Sequence, residues 1–178
     1  MPLRIWTIGH STRTIVEFLE ALRSQEIEAV ADVRKLPGSR RYPHFDQGPL
    51  AGSLRSDGIE YHHFPELGGR RKPRPDSHNT AWRHPAFRAY ADHMESEEFS
   101  GAVSKLCALA VERRTAIMCA EAVWWRCHRS LIADYLKARG WCVLHILDAQ
   151  KVQEHPFTSA ARIVDGELSY EAGEGGGD

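Results

Sequence analysis

The feature that most constrains this chain is its rhythm: short strand-like apolar runs alternate with segments of helical periodicity. Leu3–Ile8 reads as a buried strand ending in Gly9-His10-Ser11. A helix follows, opened by Thr14 with Glu17 at the capping-box spacing, and with Ile15, Phe18, Leu19 and Leu22 on one face. Ala29–Val33 is a second strand, Ile59–Phe64 a third, Thr115–Cys119 a fourth and Trp141–Leu147 a fifth. Ile163–Tyr170 could add a short edge strand. Between them, Gln47–Ser56, His84–Met94, Glu97–Val111 and Cys127–Arg139 read as helices. Such alternation predicts an α/β fold with a mostly parallel central sheet flanked by helices. A length of 178 residues suits one domain, here taken as residues 1–170. The Gly-rich acidic tail, residues 171–178, is expected to be disordered.

In such a sheet the active crevice lies beyond the carboxyl ends of the strands. Those ends deliver Gly9-His10-Ser11, Asp32 with Arg34, His62-His63 with Glu66, and Cys119 with Glu121. Asp32 interrupts an apolar run, and a buried carboxylate there needs hydrogen bonds or a cation. It reads equally well as a structural partner of Arg34 or Arg126 and as a group facing the crevice.

Net charge is −1, which excludes nucleic-acid binding by bulk charge alone. The distribution matters more: Arg34, Lys35, Arg40 and Arg41 fall in one loop, and Arg70, Arg71, Lys72 and Arg74 in another. Pro65–Asn79 lacks periodicity and reads as a long surface loop, either a lid or binding loop or disordered. No apolar run is long enough for a bilayer and the N-terminal residues do not resemble a signal peptide, so a soluble cytoplasmic protein without a membrane partner is expected. The four cysteines do not form a disulfide framework. Cys107 and Cys142 read as core residues, whereas polar residues crowd Cys119 and Cys127.

Three chemistries compete for Cys119–Arg129. A rhodanese- or phosphatase-like loop would use Cys119 as nucleophile with an arginine closing an anion cradle. Six residues separate Cys119 from Arg126, one more than a phosphatase loop has. A metal site built on Cys119, Cys127, His128, His62 and His63 fits no compact zinc spacing, so no metal and no cofactor are expected. The third chemistry cleaves a bond at an anionic sugar. Asp32 or Glu121 would stabilise the developing oxocarbenium ion, arginines would hold phosphates, and Tyr42, Phe45, Trp82, Trp124 or Trp125 would stack on a base. Two adjacent tryptophans cannot share one inward face, so at least one of Trp124 and Trp125 is expected at a surface. Glycines in Gly38-Ser39-Arg40-Arg41 and Gly68-Gly69-Arg70-Arg71 would let backbone approach phosphate closely.

The segments Thr7-Ile8-Gly9-His10-Ser11, Val30-Ala31-Asp32-Val33-Arg34, Pro37-Gly38-Ser39-Arg40-Arg41, Leu67-Gly68-Gly69, Phe87-Arg88-Ala89-Tyr90 and Cys119-Ala120-Glu121 with Arg126-Cys127-His128-Arg129 together resemble the bacterial family named domain of unknown function 488. The resemblance runs from Ile5 to about Ile146. Some members are linked to removal of 5-hydroxymethyluracil from DNA, and the resemblance to that group implies a monofunctional DNA glycosylase acting on a flipped base. On that reading Asp32, Glu121 and His10 form the catalytic set: Asp32 activates water or stabilises the sugar cation, and Glu121 and His10 orient the water or bind the base. Substrate contacts are expected from Arg34, Ser39, Arg40, Arg41, Tyr42, Phe45, Gly68, Gly69, Arg70, Trp124, Arg126, His128 and Arg129. The expected partner is DNA containing modified uracil, with no obligate protein partner. A Cys119-dependent enzyme and a non-catalytic nucleic-acid binding module remain the alternatives.

Overall fold

The computed structural model describes residues 3–173. Along the chain run β1 (Arg4–Gly9), α1 (Ile15–Ser24), β2 (Ala29–Asp32), α2 (Gln47–Ser56), β3 (Glu60–His63), α3 (Pro85–His93), α4 (Glu97–Glu112), β4 (Thr115–Cys119), α5 (Arg129–Ala138), β5 (Cys142–Asp148), β6 (Lys151–Glu154), β7 (Arg162–Val164) and β8 (Glu167–Ser169). Six strands form one sheet in the order β3-β2-β4-β1-β5-β6. The first five are parallel and β6 pairs antiparallel with β5. The fold is therefore the expected α/β domain with a mostly parallel sheet.

The pleat sorts side chains into two cores. Trp6 and Ile8, Val30, Ala116 and Met118 face one side, where they pack with Phe18 and Leu22 of α1 and Leu50 and Leu54 of α2. Ile5, Ala31, Ile117 and Cys119 face the other, against Tyr90 of α3, Phe99 and Leu106 of α4 and Leu131 and Leu136 of α5. Both faces are thus covered, which is what a buried parallel sheet requires. The chain leaves β1 and β2 toward the α1–α2 face but leaves β3 and β4 toward the other. Neighbouring strands β2 and β4 consequently leave toward opposite faces, and a crevice opens between their carboxyl ends.

Local signals explain the helix ends. Thr14 and Glu17 form a reciprocal capping box at α1, and Ser96 accepts from the Phe99 N–H to start α4. Three elements differ from expectation. β6 carries Lys151, Gln153 and Glu154 around one apolar residue, Val152, so it has no apolar period to betray it. Ile163–Tyr170 is not an edge strand of the sheet; it splits at Asp165-Gly166, both at positive φ (51° and 79°), into a separate β7–β8 hairpin. The last helix begins at Arg129 rather than Cys127, because Trp124–Arg126 makes a tight 3₁₀ turn first.

The remaining departures are of burial and order. Cys107 and Cys142 are only partly buried, and all four cysteines are free thiols. The Pro65–Asn79 loop is pinned: the Arg74 N–H and the Ser77 hydroxyl donate to Asp92, and Arg71 donates to the Gly68 carbonyl. Of the expected disordered tail, Ala172 donates to Thr80 Oγ1 at 3.0 Å, and 174–178 lie outside the described residues. Among the described residues, no helix is long and apolar enough to cross a membrane.

A buried polar chain ties α5 to the sheet. Thr7 Oγ1 meets His145 Nδ1 at 2.5 Å, His145 Nε2 meets His155 Nδ1 at 2.8 Å, and His155 Nε2 meets Asp134 Oδ1 at 2.8 Å. The Thr158 and Tyr170 hydroxyls also donate to Asp134. Every oxygen of that buried carboxylate is thereby satisfied, as its burial demands.

Candidate active site at the strand ends

A cleft of about 340 Å³ opens beyond the carboxyl ends of β2, β3 and β4. Its wall carries Arg34 and Lys35 from the β2 exit, Gly69 and Arg70 from the β3 exit, and Cys119 and Glu121 from the β4 exit. Phe87 and Tyr90 of α3 and Arg126, Cys127 and His128 ahead of α5 complete it. A wider, shallower groove adjoins, sharing Leu36, Gly38 and Arg70 and adding Ser39 and Arg40.

Close backbone approaches hold these loops. A Cβ on Gly9 would lie 1.9 Å from the Glu121 carbonyl oxygen, so only glycine lets the 120–122 turn lie over the end of β1. His10 N and Ser11 N donate to the Cys119 and Ala120 carbonyls, both at 2.9 Å. A Cβ on Gly68 would come within 2.9 Å of the Lys35 backbone nitrogen. Gly68 therefore serves the fit between two protein loops rather than an approach to phosphate, and Gly69 likewise packs under the His128 ring. Arg70 sits at φ 61°, a left-handed conformation that holds its side chain at the cleft.

Asp32 does not line this cleft. As the residue after Ala31 it points to the α1–α2 side of the sheet, fully buried. Its Oδ1 accepts from Arg34 Nε at 2.9 Å and from the Arg34 N–H at 3.1 Å, while Oδ2 accepts from Arg34 Nη2 at 2.8 Å and the Tyr61 hydroxyl at 2.6 Å. Burial, reinforced by this hydrogen bond, pushes the Tyr61 phenol well up. Asp32 thus fixes Arg34, whose far edge reaches the cleft. His63 adds to this by donating from Nε2 to the Arg34 carbonyl at 2.8 Å.

His10 lies behind Arg34, stacked on Phe45 at 4.3 Å between centroids. Burial lowers its pKa to about 4, so it is neutral at ordinary pH. Phe45 is a core residue, wholly buried against His10 and Phe18, and offers no face to a ligand. Trp124 is also packing: it lies parallel to His145 at 4.6 Å and donates to Gln153. Trp125 is the exposed member of the pair, 56% accessible, as the surface expectation for one of them requires. Tyr42 packs at the edge of the α1–α2 core and Arg41 is exposed, and neither borders the cleft. Ser39 organises its own loop, accepting from the Tyr42 N–H and donating its N–H to Asp46.

Arg129 was expected to hold phosphate but is buried, 2% exposed. Its Nη2 donates to the Glu121 and Ala122 carbonyls at 2.9 and 3.3 Å, and Nη1 reaches Thr7 Oγ1 at 3.5 Å. The turn after Cys119 therefore presents carbonyls to the arginine, the reverse of a phosphatase cradle, in which N–H groups point inward.

Cys119 and Cys127 lie in contact, 2.8 Å between sulfurs. Burial, and then the neighbouring Cys127, push the Cys119 thiol well above its usual range. At Cys127 burial is again the largest influence and acts upward, but the hydrogen bond from Cys119, the charge of Arg129 and the Arg129 N–H outweigh it and bring the pKa to about 7. Any nucleophilic thiolate here is Cys127 rather than Cys119. His128 donates from Nε2 to the Val33 carbonyl at 3.1 Å and turns Nδ1 toward Cys127 at 3.6 Å.

The sequence profile described as domain of unknown function DUF488 matches residues 14–136. The chain belongs to this DUF488 family. Searches among curated proteins and among solved structures give no match. Every residue lining the DUF488 cleft lies within the matched segment. Of the expected site residues, Arg34, Gly69, Arg70, Glu121, Arg126 and His128 converge there, and Ser39 and Arg40 border the adjoining groove. Lys35, Phe87, Tyr90 and Cys127 complete the wall without having been expected there. Phe87 and Tyr90, three residues apart in a helix, share one face, and that spacing was the signal available for them.

Proposed function

We propose that this cleft hydrolyses the N-glycosidic bond of a modified uracil in DNA, with Glu121 as the carboxylate that acts on the sugar. One observation carries the reading: Glu121 lines a cleft whose other charged walls are Arg34, Lys35, Arg70 and Arg126. Among the described residues, Lys35, Arg40, Arg70 and Arg126 have no carboxylate within ion-pair distance, and all four are exposed. Unpaired cations around one carboxylate suit an anionic polymer that must also be attacked at a sugar.

The chemistry follows from those groups. Glu121 takes a proton from water as the oxygen bonds to the anomeric carbon, and the carbon–nitrogen bond breaks with its electron pair leaving on the base. Arg34, held rigid by Asp32, offers positive charge to the departing base anion. Arg70 and Arg126 on the cleft wall, with Arg40 on the shallower groove, would hold the phosphates that flank an extruded nucleotide. Phe87, partly exposed on the cleft wall, supplies the ring face that Phe45 and Trp124 do not. The choice of 5-hydroxymethyluracil rests on the family resemblance. The direct test is incubation of the protein with a duplex carrying one 5-hydroxymethyluracil. Free base and an alkali-labile abasic site are expected, with Glu121→Gln slowed by about 100-fold or more. Intact DNA at enzyme excess would overturn the assignment, and binding without base release would favour a non-catalytic DNA-binding module.

A further inference from the structure

Arg129 poses a problem of charge. Its guanidinium is buried, its Nε has no hydrogen-bond partner, and among the described residues no carboxylate pairs with it. A buried cation without an anion is costly. The Cys127 sulfur can become one: it accepts the Arg129 backbone N–H at 3.4 Å at the start of α5, and the charge of Arg129 favours its thiolate. The sulfur of Cys119 lies 2.8 Å away on the other side, and His128 Nδ1 lies 3.6 Å away. Both sulfurs border the cleft, yet Cys119 and Cys127 are only 2% and 7% exposed. A reagent must therefore be small to reach them.

We propose that Cys127 and Cys119 form a redox-active pair at the cleft floor, in which Cys127 reduces a hydroperoxide and Cys119 closes the product into a disulfide. The Cys127 proton passes to His128 Nδ1, whose other nitrogen is fixed on the Val33 carbonyl. The thiolate attacks the terminal peroxide oxygen, and the O–O bond breaks. Cys127 becomes a sulfenic acid while the alkoxide takes the proton from His128 and leaves as an alcohol. The Cys119 thiol then displaces the sulfenic hydroxyl as water, and the Cys119–Cys127 bond forms. Two thiols lose two electrons to one hydroperoxide, and an external dithiol restores them. A sulfane-sulfur carrier is a poorer fit to the same pair, because a thiol in contact with a persulfide would cleave it.

The test uses the reduced full-length chain and one equivalent of hydrogen peroxide. Intact mass should fall by two hydrogens, and digestion should yield a linked peptide joining Cys119 to Cys127, with Cys107 and Cys142 still open to alkylation. The reaction should outpace that of free cysteine by about ten-fold or more at neutral pH. In Cys119→Ser the reaction should stop at a sulfenic acid on Cys127, trapped by dimedone as the chain is unfolded. Should that variant not fold, Cys119→Ala replaces it, with the same product expected on Cys127. Oxidation beginning at Cys107 or Cys142, a sulfenic acid on Cys119, or a rate equal to that of free cysteine would each overturn the proposal. Base release from DNA is read separately, so failure of either activity leaves the other decided on its own.

Discussion

Asp32 and Glu121 are both carboxylates at strand exits, and the pleat sends them to opposite fates. Asp32 follows the inward alternation of β2 to the α1–α2 side and spends four acceptor contacts on Arg34 and Tyr61. Glu121 lies two residues past β4, beyond the pleat, and stays accessible. Their substitutions should separate accordingly. Asp32→Ala strands a buried guanidinium and should cost about 3–5 kcal/mol in urea unfolding, whereas Glu121→Gln should stay within about 0.5 kcal/mol of the parent. A mild Asp32→Ala would show that Arg34 does not depend on it. The apolar run around Asp32 made its burial legible in sequence. The facing direction was not, because it depends on which side each helix returns, and that is set by the crossover order rather than by the strand. Arg129 was misread for a similar reason: nothing in Arg126-Cys127-His128-Arg129 says which arginine points inward until the 3₁₀ turn fixes the phase of α5.

At the level of elements, strands with apolar runs and helices with caps were legible, while β6 and the β7–β8 hairpin were not. The hairpin had a signal in Asp165-Gly166, the dipeptide suited to two positive-φ positions. β6 had none, since it borrows its stability from β5 rather than from its own side chains. What secures this end of the domain is the polar chain from Thr7 to Asp134, which links β1, β5, the segment after β6 and α5 in one path. Asp134→Ala would leave the donors of His155, Thr158 and Tyr170 without an acceptor in a dry site. It should lower stability by about 3 kcal/mol or more, and a thermal melt measures it. A change of under about 1 kcal/mol would mean that water replaces the carboxylate. The same helix carries Arg129 at its start, so the chain also connects the cleft floor to the hairpin.

For the whole molecule, acid should loosen the fold before its carboxylates titrate. Burial, then the charges of His155 and Arg129, lower the His145 pKa from 6.5 to about 2, and burial lowers His10 from 6.5 to about 4. Below 6.5 the unfolded chain takes up protons that the folded one refuses. Stability is therefore fully present above that value and is lost as pH falls toward the folded pKa of each group. Each such histidine costs up to about 1.4 kcal/mol per pH unit in this window. Urea midpoints should drop steadily from about pH 7 to about pH 5, and a flat profile would show that the two rings protonate in place. His145→Gln should flatten part of that slope.

Trp125 stands apart from the other four indoles: Trp6, Trp124 and Trp141 are buried, Trp82 is partly covered, and Trp125 alone projects into solvent beside Arg126. The chain consequently has a native optical label one residue before Arg126 of the cleft wall. Long-wavelength emission open to an aqueous quencher belongs to that one ring, and anything that settles on the arginines beside it dims or shields the signal without a dye.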